Sequence, residues 1–194
     1  MKIKSLILFA AAVAVFSSCD KSDIEAPKGQ TNVVSYKVGA KYFEDKEATY
    51  GVGENVFTMC SHVMNGASGV GFEGYVPVKF SLFMHTEEPL RKALSRGRVL
   101  RVGERDARIE LGPITLCKGG SDEFIIPESA EITAGRVSFD SFAERSTGEP
   151  RFTGTFEVTL SVTVNQSKPY DPSASETAEI KITDGVFWRK YLKR

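Results

Sequence analysis

Three cysteines, two histidines and a run of arginines are the side chains in this chain that could do chemistry. A thiolate is a nucleophile and a metal ligand. An imidazole moves protons or binds metals. An arginine fork grips carboxylate, sulfate or phosphate. His62 and His85 both fall in strand-like segments far apart in sequence, and no ligand spacing surrounds them. No metal site is therefore expected. Cys60 and His62 stand two apart and would share a strand face, yet no nucleophile motif surrounds them, so a catalytic pair is not expected. Cys60 and Cys117 have two readings. They form a disulfide closing a loop of about 57 residues, worth about 4 kcal/mol in the chain-entropy model, or they are two buried thiols acting as small apolar residues.

The arginines are concentrated. Arg91, Lys92, Arg96, Arg98, Arg101, Arg105 and Arg108 lie within eighteen positions, and Glu104 and Asp106 leave that window at +5. They read as a patch for an anionic glycan, a lipid headgroup or a partner protein. The plainer reading is a solvated face balanced by acids elsewhere. Val102-Gly103-Glu104-Arg105-Asp106 has the composition of a hairpin link, which would bring Arg98 near Arg108.

No G-x-S-x-G elbow, Walker loop, H-E-x-x-H or EF-hand loop occurs. Gly66, Gly69, Gly71 and Gly74 make a glycine-rich stretch without the Lys-Ser/Thr of a phosphate cradle, so it reads as a strand-joining loop. Adjacent carboxylates such as Glu87/Glu88 or Asp122/Glu123 do not supply the opposed pair that glycoside hydrolysis needs. No cofactor is implied, and the expectation is a protein that is not an enzyme. The formal net charge of zero argues against nucleic-acid binding.

The third cysteine sits in a different context. Lys2 and Lys4 precede an unbroken apolar run, Leu6 to Phe16, and Ser17, Ser18 and Cys19 follow. Eleven apolar residues are too few to span a bilayer, so residues 1–18 read as a signal peptide. Phe16-Ser17-Ser18-Cys19 resembles the lipobox of bacterial lipoproteins, with Phe16 where Leu is usual. The resemblance implies cleavage between Ser18 and Cys19 and acyl chains on Cys19, enough to hold the protein on a membrane stably. Asp20, Lys21, Ser22, Asp23 and Glu25 resemble the acidic surface-export signal of Bacteroidetes lipoproteins, with Lys21 interrupting it. Residues 19–31, with Pro27 and Gly29, read as a flexible tether.

From residue 32 to 194 a single β-rich domain is expected. Phe152, Gly154, Phe156, Val158, Leu160, Val162 and Val164 alternate with polar residues, which predicts one face on a core and one in water. Val76, Val78, Phe80, Leu82 and Met84 repeat the pattern, as do Ala178, Ile180 and Ile182. Asp184-Gly185 reads as a tight turn. One short helix is expected after Thr86 as its cap, with Pro89 in its first turn and Gly97 as its stop. The fold class is all-β, an antiparallel sandwich or a partly closed barrel with at most one short helix. The only Trp, Trp188, reads as part of a terminal strand anchored to the core. Asn165 to Ser175, with Pro169, Tyr170 and Pro172, reads as an exposed connection.

Phe152-Thr153-Gly154-Thr155-Phe156 and Ile182-Thr183-Asp184-Gly185-Val186-Phe187 resemble the paired G-[ST]-F strand and terminal I-T-[DN]-G-x-F segment of uncharacterised Bacteroidetes lipoproteins. That resemblance implies no activity. Location suggests a lipid-anchored protein of the outer membrane, at the periplasmic face or the cell surface. Its role would be binding or structural, with a polysaccharide or a partner envelope protein as ligand. The alternatives are an enzyme or inhibitor acting on envelope or host polymers, and a structural subunit of a surface assembly.

Overall fold

The computed structural model describes residues 30–63, 74–94, 99–104, 107–119, 123–144, 150–167 and 169–191. Among the described residues, twelve strands make two antiparallel sheets packed face to face as a sandwich, not a closed barrel. The strands are β1 (Gln30–Val38), β2 (Lys41–Asp45), β3 (Thr49–Val52), β4 (Val56–His62), β5 (Tyr75–Thr86), β6 (Val99–Arg101), β7 (Ala107–Leu111), β8 (Thr115–Lys118), β9 (Phe124–Ile125), β10 (Ser129–Glu144), β11 (Pro150–Val164) and β12 (Glu176–Tyr191). The first sheet runs β2-β1-β12-β11-β10-β6, and the second runs β3-β4-β5-β8-β9 with β7 also on β5. A five-residue helix, α1 (Leu90–Leu94), lies between β5 and β6.

The alternation along β11 is realised in full. Its apolar residues from Phe152 to Val164 are buried, and the residues between them are partly or fully exposed. They meet Phe57, Met59, Phe80, Leu82 and Met84 of the opposite sheet in one continuous core. One end of that core is aromatic. Phe57 packs edge-on against Phe139 at 5.0 Å and against Phe152 at 4.9 Å. Such edge-to-face pairs set the ring edge of one against the electron-rich face of the other.

Four expectations need correcting. β5 is central in its sheet and is covered on both faces, with Pro77, Ser81 and Phe83 buried as well. Thr86 ends β5 instead of capping a helix, and its hydroxyl donates to the Glu88 carbonyl at 2.8 Å. Asp184-Gly185 is not a tight turn, because β12 runs straight through it. The positive φ of 49° belongs to Asp184, beside a register shift between Phe156 and Val158 on β11. This is a bulge, and the short polar side chain of Asp tolerates the left-handed conformation. Finally, Val102–Asp106 is not a hairpin link. β6 pairs with β10 in one sheet and β7 with β5 in the other, so the segment crosses between sheets. The folded domain also starts earlier than residue 32, since Gln30 and Thr31 pair with Tyr191 and Lys190.

The two long central strands have distinct ends. At one, β1 begins opposite the end of β12, with Gln30 facing Tyr191. At the other, Val164 of β11 faces Glu176 of β12, and the connection 165–175 joins them.

Candidate functional site

The residues singled out by type do not converge. His62 pairs with Lys79 and His85 with Val56, at opposite ends of the β4–β5 ladder. The His62 backbone N–H donates to buried Asp45 at 2.7 Å. His85 Nε2 lies 3.2 Å from Glu110 Oε2, an ion-pair distance without the alignment of a hydrogen bond. Among the described residues, no three His, Cys, Asp or Glu side chains gather in a group that could hold a metal ion.

The bridge between Cys60 and Cys117 does not form. Cys117 is a free, buried thiol. It packs on Val78 in a small apolar cluster apart from the main core. Cys60 lies on β4, opposite Ser81 of β5 and Thr49 of β3. Ser18 and Cys19, with the rest of residues 1–29, also lie outside them.

The arginine run is dispersed. Arg96, Arg98 and Arg105 lie outside the described residues. Arg91 is exposed on α1, Arg101 on β6 and Arg108 on β7, so the last two belong to different sheets. Arg101 lies 3.7 Å from Glu104, and Arg108 Nε lies 2.9 Å from Glu110. Such exposed pairs are screened by water and weak, but they take up part of the local positive charge. The stretch from Gly66 to Gly71 is outside the described residues too.

What the fold does build is an open cleft of about 360 Å3 between two corners of the sandwich. β7 and β8 pair antiparallel with successive halves of β5, and Gly112, Pro113 and Ile114 join them along the same line. Gly112 sits tightly at this junction. A Cβ on Gly112 would lie 2.3 Å from the Phe83 ring, while its N–H donates to the Ser81 carbonyl at 2.9 Å. The opposite wall is the link from β9 to β10, where Ile126, Pro127 and Glu128 also line the cleft. Lys79 contributes from β5, beside a register shift between Pro77 and Lys79.

Glu128 is tied to the connection between β11 and β12. Glu128 Oε1 accepts the Tyr170 hydroxyl at 2.7 Å, and its Oε2 accepts the Ser175 hydroxyl at 2.7 Å. Both donors stabilise the charged carboxylate, Tyr170 more than Ser175, and hold Glu128 below the usual carboxylate range. The same bond to Glu128 raises the Tyr170 phenol. Asn165 ties the loop to itself. Its Oδ1 accepts from the Ser167 N–H at 3.0 Å, and its Nδ2 donates to the Asp171 carbonyl at 2.7 Å and to Ser175 Oγ at 3.1 Å. Asp171 caps a single 3-10 turn, Pro172–Ala174, accepting from the Ser173 N–H and hydroxyl, which lower its carboxyl. Gln166 Nε2 reaches Tyr75 Oη at 3.2 Å, linking the loop to the second sheet.

Among the described residues, the cleft is lined by apolar side chains, one cation and one carboxylate, and an exposed tyrosine is hydrogen-bonded to that carboxylate. Sequence reading missed this site. Its one signal was a tyrosine between two prolines in a segment rich in Asn, Ser and Asp. No family model matches the chain, and neither a curated protein nor a solved structure matches it.

Proposed function

We propose that this chain is a lipid-anchored protein of the bacterial outer membrane whose β-sandwich binds a polysaccharide without transforming it. One observation carries the binding reading. The cleft is open and mainly apolar, and an exposed tyrosine, Tyr170, is hydrogen-bonded to Glu128, the carboxylate that lines it. Concave apolar sites with a few placed polar groups are the usual form of a ligand site. Glycoside hydrolysis by the common route needs two opposed carboxylates. Glu128 is the one carboxylate among the described residues lining this cleft, and both its oxygens already accept hydrogen bonds.

The assembly alternative draws less support. The strands at the sheet margins are short, at five residues for β2, three for β6, four for β3 and two for β9. β2 also presents exposed Glu44 beside Lys46. Short, charged edges discourage strand addition by a second chain.

The anchor rests on Cys19 and the residues before it. A sulfur that carries a thioether to diacylglycerol cannot also form a disulfide, so the two fates of Cys19 exclude each other. Metabolic labelling with a tagged fatty acid, followed by mass spectrometry of the N-terminal peptide, separates them. Label on the wild type and none on Cys19→Ala is expected. A Cys19–Cys60 disulfide in the mature protein would overturn the anchor. For the ligand, purified mature protein is tested against immobilised polysaccharides, with retention expected on at least one.

A further inference from the structure

We propose that Tyr170, Glu128 and Lys79 form a subsite for uncharged sugar rings, with Tyr170 as the stacking platform and Asn165 as the positioning residue behind it. This rests on the binding reading above and supplies its ligand class.

The ring comes first. Tyr170 is 65% exposed, yet its hydroxyl is tied to Glu128 at 2.7 Å. An exposed aromatic normally samples several rotamers, and fixing it on binding costs entropy. Here that cost is met within the free protein. Glu128 grips both sides of the turn, Tyr170 and Ser175, and Asn165 closes it from within. Preorganised tyrosines are effective contacts, because they bring a large amphipathic area with few torsions to freeze.

The floor comes second. Pro113, Ile114, Ile126 and Pro127 give it apolar surface, and Ile126 is 81% exposed. A pyranose has C–H faces that suit such surfaces and a rim of hydroxyls that need partners.

The charges come third and decide between ligands. Among the described residues lining the cleft, one is a cation, Lys79, and one an anion, Glu128. An acidic sugar would be drawn to Lys79 but repelled by Glu128, and a cationic one the reverse. A neutral polyol satisfies both, donating to the free lone pairs of Glu128 and accepting from Lys79. Two of about four lone-pair positions on Glu128 are used within the protein, which leaves room for ligand hydroxyls.

The experiment is calorimetry on full-length mature protein in detergent micelles. The ligands are neutral oligosaccharides (gluco-, manno- and galacto-series), an oligogalacturonate and a chitosan oligomer. Tyr170→Ala, Glu128→Gln and Asn165→Ala are compared, with circular dichroism to confirm folding. Neutral sugars are expected to bind best. Tyr170→Ala should weaken them about tenfold and Asn165→Ala by a smaller factor, while Tyr170→Phe, which keeps the ring, should retain more affinity than Tyr170→Ala. Neutral binding indifferent to Tyr170→Ala and Glu128→Gln would overturn the subsite and leave the polysaccharide reading standing. Preference for the acidic or the cationic oligomer would overturn the charge argument. No binding of any sugar by folded wild type would overturn both readings.

Discussion

Gly154 of β11 sits directly opposite Phe187 of β12. The Phe187 ring lies over it so closely that a Cβ there would fall 2.3 Å from the ring and 2.3 Å from the Ser138 carbonyl on the other side. Two residues along β11 the arrangement is inverted, with Phe156 facing Gly185, where a Cβ would fall 2.4 Å from the Phe156 carbonyl. Each glycine makes the space that the opposing phenylalanine fills. The pair locks the register of two long neighbouring strands, since any slip drives a ring into backbone.

Gly154→Ala should therefore destabilise by about 3 kcal/mol, the upper end of what overpacking a core costs. Urea unfolding should show a lower midpoint with unchanged slope. An alanine variant as stable as wild type would mean that the two strands part easily at this point.

Phe57→Ala should cost about 4 kcal/mol, because the ring is fully buried and touches Phe139 and Phe152 from the opposite sheet. It joins the two layers, so the loss should appear in global unfolding and not as local fraying. Thermal unfolding followed by near-ultraviolet circular dichroism checks this.

Two tyrosines should refuse to ionise in the native state. Burial pushes the phenols of Tyr36 and Tyr50 far above the usual value, with Asp45 adding to the effect on Tyr36. A raised folded pKa favours the neutral form, so this stability is present below the ordinary tyrosine value and disappears only as pH rises far beyond it. Spectrophotometric alkaline titration should leave two of the six tyrosines silent until the protein unfolds.

The loop clasp has a pH window. Glu128 is lowered, so its contribution is present above the ordinary glutamate range and vanishes as pH falls through the lowered value. Tyr170 is raised, so the clasp fails at the alkaline end only as pH rises through that value. The Tyr170 ring resonances should stay constant between these limits. A midpoint at the ordinary glutamate value would show that the bond is not held in solution.

Cys117→Ala should leave the disulfide content of the protein unchanged, since this thiol is free. Non-reducing mass spectrometry of wild type and variant should differ by the substitution alone. Loss of a disulfide in the variant would contradict the packing of Cys117 on Val78.

The sequence revealed what is local and periodic. The β11 alternation from Phe152 to Val164 states which side chains are inside, because a strand repeats every two residues. It could not reveal that both faces of β5 are covered, since cover comes from elements distant in the chain. Val102–Asp106 carries the same Gly and charged residues whether it turns a hairpin or crosses between sheets. The choice is made by β10 and β5, the strands that β6 and β7 find as partners. The clasp was hidden for a similar reason. Glu128 and Tyr170 are 42 positions apart. Neither is unusual alone, and only the pairing of Ser129 with Thr163 brings their segments together. Asp184-Gly185 misled because its dipeptide signal is shared by turns and bulges, and here the continuing ladder with β11 overrode it.

The length of β12 has a consequence for presentation. At about 3.3 Å per residue, its 16 residues make a strut roughly 50 Å long. The chain enters at Gln30, beside the foot of that strut, and Tyr170 stands past its head, beyond Glu176. Under the anchor proposed above, the domain would carry its cleft at the end of the sheet away from the lipid, as a lantern on a post. A long polymer could then pass across the tip without touching the bilayer.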